Sequence, residues 1–279
     1  MPAYDPHEAD SDLELLHQPA TDASETPPLL FIHGAYTSAA CWQPHLLPWL
    51  SNHGHDCWAL SLPGHGDSPD KARLHQYSLE DYVSAVEATL PRLPAPPILI
   101  GHSLGGTVVL RLRERISVPG VALLAPVPPQ GVVPSASRLL WQRPPLLQAL
   151  GHVVQGQLQA ADAPQLGAAL FSPRHPPPAL AEMATLFQPE SMRALFDLSW
   201  QGWRSTPTLP QLPALVLAAE DDALFTVEEV DACARLLHTR AHVLPGLGHA
   251  MMLDHDWLLL AQALHTWLQT HFPSTVSVR

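Results

Sequence analysis

Short apolar runs alternate with longer segments of helical periodicity along most of the chain. Six runs are apolar nearly throughout rather than at alternate positions: Leu29–His33, Asp56–Leu60, Ile98–His102, Val121–Pro126, Ala214–Glu220 and Ala241–Leu244. Such runs are typical of strands whose two faces are both covered by helices. Five segments between or after them have helical spacing: Ala39–Asn52, Leu79–Leu90, Leu104–Arg115, Val227–Leu237 and Asp256–His271. The alternation predicts an α/β fold with a doubly wound, mostly parallel sheet, preceded by a strand pair or hairpin within Asp12–Ala20.

The stretch from Val127 to Pro213 interrupts this alternation. It has no strand signal, but it contains four apolar segments of helical spacing between Pro-rich turns: Ser137–Val154, Ala163–Phe171, Ala179–Phe187 and Glu190–Trp203. A structureless loop of this length is improbable inside a compact domain. We therefore predict an α/β core from residues 1–126 and 214–279, with residues 127–213 inserted as a helical cap.

Composition restricts the class of protein. Of 279 residues, 46% are hydrophobic and 14% are charged, which is enough apolar surface for a large core. The formal net charge of −12, with no run of Lys or Arg, argues against nucleic acid and anionic membrane as partners. The cysteines are Cys41, Cys57 and Cys233, too dispersed for a disulfide framework or a Cys-based zinc site.

Segments for targeting or membrane insertion are not expected. The N-terminal residues are acidic and lack the basic start and apolar centre of a signal peptide. No stretch approaches about 18 consecutive apolar residues, the length that a membrane-spanning helix needs. We expect a cytoplasmic protein without an integral membrane segment, and no sequence feature requires an oligomer.

The strongest chemical signal is the sequence Gly101-His102-Ser103-Leu104-Gly105, between a strand and a helix. A G-x-S-x-G motif in this setting predicts a nucleophile elbow, a strained turn that exposes the serine hydroxyl above the sheet. Side chains at Gly101 and Gly105 would collide with the neighbouring strand and helix. The helix that follows favours negative charge developing at its N-terminus.

A serine hydroxyl is a weak nucleophile and needs a base and a group that orients the base. Asp221 and Asp222 follow the strand Ala214–Glu220, and His249 follows the strand Ala241–Leu244. The order Ser, Asp, His is the one expected for this architecture, with either aspartate as the acid. A backbone N–H in His33-Gly34-Ala35-Tyr36, together with that of Leu104, would stabilise an oxyanion.

These segments resemble the α/β-hydrolase fold family, and in particular capped bacterial serine hydrolases of the esterase or lysophospholipase type. The resemblance rests on FIHGAYTSAACW, LSLPGHGDS, LIGHSLGGTVV, LVLAAEDDALFT and LPGLGHAMMLD. It implies Ser103 as nucleophile, His249 as base and the N–H groups of Ala35 and Leu104 as oxyanion donors. It favours Asp222 over Asp221 as the acid, because Ala219 and Phe225 stand at the expected distances from Asp222.

The apolar cap implies an apolar substrate. Candidate substrate-binding residues are Tyr36, Trp42, Met183, Phe187 and Trp200. We expect no cofactor and no metal, since His53 and His55 have ligand spacing but no third ligand close in sequence. We expect His33, His65 and His102 to support loops rather than to transfer protons.

The expected function is hydrolysis of a small-molecule carboxylic ester with an apolar acyl or alkyl part. A thioesterase, an acyltransferase and a carbon–carbon bond hydrolase use the same groups, so the sequence leaves these alternatives open. A hydrolase fold that binds a ligand without turnover is a further alternative.

Overall fold

The computed structural model describes residues 13–21, 26–154, 157–177, 187–199 and 211–273. Its strands are β1 (Leu15–Gln18), β2 (Leu29–Ile32), β3 (Cys57–Leu60), β4 (Ile98–His102), β5 (Val121–Leu124), β6 (Ala214–Ala219) and β7 (Ala241–Leu244). They form a seven-stranded sheet in the order β1-β3-β2-β4-β5-β6-β7. Only β1 runs antiparallel to its neighbour, and the other pairings are parallel. The predicted α/β sheet is confirmed, but residues 13–20 contribute one strand rather than a hairpin.

Both faces of the sheet are buried at its central strands, which explains why those strands are continuously apolar. In β2, Leu29 and Phe31 belong to one core cluster, whereas Leu30 and Ile32 belong to the cluster on the opposite face. All four side chains have no exposed surface. Because side chains alternate between the faces of a strand, a sheet with two covered faces selects apolar residues at every position.

Helices cover both faces. They are α1 (Leu46–Asn52), α2 (Leu79–Thr89), α3 (Leu104–Leu112), α4 (Val133–Gln142), α5 (Pro144–Val154), α6 (Ala163–Leu170), α7 (Met192–Ser199), α8 (Val227–Leu236) and α9 (Trp257–His271). Helices α2 and α8 begin with capping boxes, formed by Ser78 with Asp81 and by Thr226 with Glu229. Each box satisfies backbone N–H groups that the first helical turn leaves without acceptors.

Two predicted helices are divided in the structure. The segment Ala39–Asn52 forms a 3-10 turn over Ala39–Trp42 and then α1, which begins after Pro44. The segment Ser137–Val154 was predicted as one helix, and this is wrong. It divides at Arg143, which has φ −142° and ψ 59°. The residue before a proline avoids the helical region, and Pro144 follows directly.

Residues 127–213, here called the insertion, lie between β5 and β6 and include α4 to α7. Most of the helix predicted over Ala179–Phe187, and the end of the one predicted over Glu190–Trp203, lie outside the described residues. The remainder of the latter forms α7. Within the described ranges, no helix is long and apolar enough to cross a membrane.

Candidate active site

Ser103 lies at the tight turn that joins β4 to α3. Its φ of 51° and ψ of −115° are strained for a residue with a side chain. A Cβ on Gly101 would lie 2.4 Å from the carbonyl oxygen of Gly105, and one on Gly105 would lie 2.3 Å from that of Ile32. The two glycines therefore permit close packing of the turn, as the motif predicts, and Ser103 is held at the edge of a cavity.

A carboxylate and an imidazole meet beyond the ends of β6 and β7. Asp222 Oδ2 lies 2.8 Å from His249 Nδ1. The other oxygen, Oδ1, accepts hydrogen bonds from the backbone N–H groups of Leu224 at 2.7 Å and Phe225 at 3.0 Å. These bonds fix the carboxylate, so that it orients the ring. Asp221 is exposed, and the structure brings Asp222 rather than Asp221 to His249.

The loop that carries His249 is anchored to the insertion through a buried carboxylate. Asp254 Oδ2 accepts hydrogen bonds from the backbone N–H of Gly248 at 2.7 Å and of Ser172 at 2.8 Å. Its Oδ1 accepts a third from the Ser172 hydroxyl at 2.9 Å. Because a buried carboxylate needs such donors, Asp254 joins the two segments firmly.

The two candidate oxyanion donors face the same cavity as Ser103. Ala35 and Leu104 both line it. Leu104 is the first residue of α3, so its N–H has no acceptor within the helix. This N–H and the adjacent helix terminus favour negative charge at that place.

His33 fixes the peptide group that contains the N–H of Ala35. The carbonyl oxygen of Gly34 lies 2.7 Å from His33 Nδ1, which must donate, because His33 Nε2 accepts from the backbone N–H of Leu62 at 3.0 Å. In a planar trans peptide the N–H points opposite to the carbonyl. Burial, and then repulsion from His65, lower the pKa of His33 to about 3, so this ring is neutral.

His102, inside the elbow motif, is hydrogen-bonded to the backbone of His249. Its Nε2 donates to the carbonyl oxygen of His249 at 3.0 Å. Burial, and then repulsion from His249, hold the pKa of His102 well below its usual value. A neutral His102 therefore positions the backbone of His249 without competing for protons.

An apolar cavity of about 260 Å³ extends from Ser103 and His249 beneath the insertion. Leucines from α4 to α7 form much of its wall: Leu139, Leu147, Leu150, Leu166, Leu195 and Leu198. Among the described residues, its wall contains no Asp, Glu, Lys or Arg. The cavity therefore favours an uncharged, apolar ligand group.

Of the predicted substrate-binding residues, Tyr36 and Phe187 line this cavity. Trp42 does not. It has no exposed surface and packs 5.1 Å from the ring of Phe31 in the core, so the prediction for Trp42 is wrong. The 3-10 turn over Ala39–Trp42 directs this ring into the sheet rather than into the cavity. Met183 and Trp200 lie outside the described residues.

Sequence reasoning missed two charged residues of the insertion that contact the site's loops. Arg138 Nη2 donates to the carbonyl oxygen of Leu224, beside Asp222, at 2.8 Å. Glu190 accepts from the backbone N–H of Tyr36 at 3.3 Å. The only available signal was a charge within an apolar helical segment, and it does not identify a partner far along the chain.

His53 and His55, which have the spacing of metal ligands, lie between α1 and β3. His53 directly follows α1, and His55 precedes β3, where its Nε2 lies 2.9 Å from Nδ1 of His265. In the described part of the chain, no group of three or more His, Cys, Asp or Glu residues could hold a metal ion.

Residues 29–263 match the model of the alpha/beta hydrolase family, and the chain belongs to that family. Mouse protein phosphatase methylesterase 1 is 28% identical over 158 residues, which are 53% of this chain and 41% of that protein. A pyrethroid hydrolase from Sphingobium wenxiniae is 34% identical over 86 residues, 31% of this chain and 30% of that protein. The chain thus aligns with less than half the length of either relative.

The fold likeness extends further than the sequence likeness. A hydrolase from Oleispira antarctica superposes with a TM-score of 0.68 over 95% of this chain and 98% of its own, at 17% identity. At that identity the similarity establishes the α/β-hydrolase fold alone.

Proposed function

We propose that this protein is a serine hydrolase that cleaves carboxylic esters with an apolar acyl or alkyl part. One observation carries the proposal: Ser103, at a strained strand–helix turn, and His249 line the same apolar cavity. The ring of His249 is in turn hydrogen-bonded to Asp222. This is the arrangement of nucleophile, base and orienting acid that acyl transfer requires. The names of the methylesterase and pyrethroid hydrolase relatives support it.

In the first half of the reaction, the Ser103 hydroxyl oxygen attacks the ester carbonyl carbon, and His249 Nε2 takes the proton. The tetrahedral oxyanion accepts hydrogen bonds from the N–H groups of Ala35 and Leu104. The intermediate collapses and breaks the bond to the alkoxy oxygen. His249 returns the proton to the leaving alcohol, and the acyl group remains on Ser103.

In the second half, water attacks the acyl carbon while His249 takes one of its protons. The second tetrahedral intermediate then breaks the bond between the acyl carbon and Ser103 Oγ, and His249 returns the proton to that oxygen, so that the carboxylic acid leaves and the Ser103 hydroxyl is restored. Asp222 holds His249 with Nδ1 protonated, which leaves Nε2 free to accept, and stabilises the imidazolium formed in each half.

We propose further that the insertion acts as a cap that selects the substrate. Its leucines, with Tyr36 and Phe187, would enclose the apolar part of the ester. An ionised substrate group would lose its hydration there without gaining a counter-charge, so uncharged esters should be preferred.

The test is hydrolysis of p-nitrophenyl esters from acetate to palmitate by the native protein and by Ser103→Ala. We expect serine-dependent turnover with a chain-length optimum. A matched pair, the butyrate and the hemisuccinate, places a methyl or a carboxylate at the same position. We expect kcat/KM to be about tenfold or more higher for the butyrate. Full activity of Ser103→Ala would overturn the proposal.

A negative result in the ester series has a defined meaning if a fluorophosphonate still labels Ser103. The nucleophile is then competent, ester hydrolysis is excluded as the activity, and thioesters, carbon–carbon substrates and acyl acceptors become the substrates to assay.

A further inference from the structure

A short segment of the insertion, residues 188–190, forms hydrogen bonds with both the N–H and the carbonyl oxygen of Tyr36. The N–H of Gln188 donates to the Tyr36 carbonyl oxygen at 2.9 Å, and Glu190 Oε2 accepts from the Tyr36 N–H at 3.3 Å. Tyr36 has a φ of 65°, in the left-handed region. A residue with a side chain stays in this region only where its surroundings stabilise it. The two hydrogen bonds from this segment provide that stabilisation.

Glu190 is a fully buried carboxylate that uses both of its oxygens. Oε1 accepts from the Tyr82 hydroxyl at 2.7 Å and from the backbone N–H of Ser191 at 2.6 Å. Oε2, which binds Tyr36, also lies 3.3 Å from His65 Nε2. Burial of a carboxylate is costly without such donors and a counter-charge. This set of contacts therefore fixes the carboxylate in one place.

Both ring nitrogens of the partner His65 face acceptor oxygens. Its Nδ1 lies 3.1 Å from the carbonyl oxygen of Pro63, an acceptor, and its Nε2 faces the carboxylate of Glu190. Burial alone would lower the pKa of His65, but the charge and hydrogen bonding of Glu190 raise it above its usual value. Burial would raise the pKa of Glu190, but His65 and the hydrogen bonds from Tyr82 and Ser191 lower it.

Ala35 lies between two peptide groups that are each fixed from outside. The peptide before it is held by His33, which binds the Gly34 carbonyl. The peptide after it is held by Glu190, which binds the Tyr36 N–H. With both planes fixed, rotation about the φ and ψ of Ala35 is restricted, and the orientation of its own N–H is restricted with it.

We propose that Glu190 is a positioning residue for the oxyanion hole, acting through Tyr36 to hold the N–H of Ala35 toward the reacting carbonyl. The inference rests on the proposed function, which makes that N–H an oxyanion donor. It also makes the active site depend on correct docking of the insertion, because the carboxylate belongs to the insertion and the donor to the core.

The test compares ligands that do and do not form an oxyanion. An alkyl trifluoromethyl ketone becomes a tetrahedral oxyanion when Ser103 attacks it, whereas the matching trifluoromethyl secondary alcohol fills the cavity without reaction. We expect Glu190→Ala to weaken ketone affinity, and to slow fluorophosphonate labelling of Ser103, by about 10²-fold. Alcohol affinity should change by less than about threefold, since its binding does not use the oxyanion donors.

Two further variants separate positioning from general stability. Glu190→Gln keeps a carbonyl oxygen that can accept from the Tyr36 N–H, and we expect it to restore ketone affinity to within about tenfold of the native value. Tyr82→Phe removes a hydrogen bond of 2.7 Å to Oε1 of the same carboxylate, the oxygen that does not bind Tyr36. We expect it to lower the melting temperature but to leave the ratio of ketone to alcohol affinity unchanged.

The outcomes distinguish this inference from the proposed function. Labelling and ketone binding that do not change in Glu190→Ala, or ketone and alcohol affinities that fall together, overturn the inference alone. If Glu190→Ala does not fold, Glu190→Asp keeps the charge but withdraws it from Tyr36, and an unchanged affinity ratio in that variant has the same meaning. A native protein that neither hydrolyses esters nor is labelled overturns the function and the inference together.

Discussion

Among the carboxylate–imidazole pairs of the described residues, two have both side chains almost completely buried, and their surroundings give them different tasks. Asp222 lies 2.8 Å from His249, and Glu190 lies 3.3 Å from His65. All four side chains are almost completely buried. His249 lines the cavity beside Ser103, whereas neither His65 nor Glu190 is among the residues described as lining it.

The second ring nitrogen makes the difference between the pairs. In His65, Nδ1 faces the carbonyl oxygen of Pro63 and Nε2 faces the carboxylate of Glu190. Neither nitrogen is therefore available to exchange a proton with a substrate. In the proposed mechanism His249 commits only Nδ1 and uses Nε2 on Ser103 and the substrate. Similar residue pairs can thus hold a loop or move a proton, depending on what the second nitrogen meets.

The largest expected effect is a loss of activity that distinguishes the Asp222–His249 pair from the Glu190–His65 pair. Asp222→Asn should lower kcat for p-nitrophenyl butyrate by about 10³- to 10⁴-fold, because the amide no longer holds His249 in the tautomer that can accept a proton. The neighbouring change Asp221→Asn is the matched control. Asp221 is exposed, and this variant should keep native kcat. Equal losses in the two variants would mean that the orienting acid is misassigned.

The second prediction separates the pairs by stability. Glu190→Ala should lower the free energy of unfolding in urea by about 3 kcal/mol, because it leaves the buried side chains of His65 and Tyr82 without their shared partner. Glu114→Ala, at an exposed position, should change it by less than about 0.5 kcal/mol. A loss for Glu190→Ala no larger than for Glu114→Ala would show that the buried pair does not support the fold.

The smallest effect is a pH dependence of the Glu190–His65 pair. The folded pKa of His65 is raised, so its stabilising effect is complete below the unfolded pKa of about 6.5 and is lost as pH rises through the folded value. The difference in unfolding free energy between native protein and His65→Gln should therefore shrink as the pH rises from 6 through the folded pKa of His65. The exposed His75→Gln should show no such trend, and a difference that grows with pH would contradict the pairing.

The parts of the fold that sequence predicts are those specified by neighbouring residues. The strands follow from continuous apolar runs, and the elbow around Ser103 from glycines two positions away on each side. The capping boxes of α2 and α8 also lie within four residues. In each case the decisive contacts are local, so a pattern in the chain contains them.

The parts that sequence does not predict depend on distant partners. Asp221 and Asp222 are adjacent in sequence, and the turn after β6 decides which of them reaches His249. His249 lies 27 residues beyond Asp222. Glu190 meets Tyr36 across 154 residues of chain. Trp42 is near the candidate oxyanion segment in sequence, but burial of its large ring places it in the core. Such choices are made by tertiary packing and leave no local pattern.

The most direct test of the central claim is the mass of the peptide that contains Ser103 after acid quenching of the protein during turnover of p-nitrophenyl butyrate. The mechanism predicts a butyryl group on Ser103 in the native protein. It predicts no butyryl group, and no hydrolysis above background, in Ser103→Ala. A butyryl group on another residue, or turnover that persists in Ser103→Ala, would contradict the account.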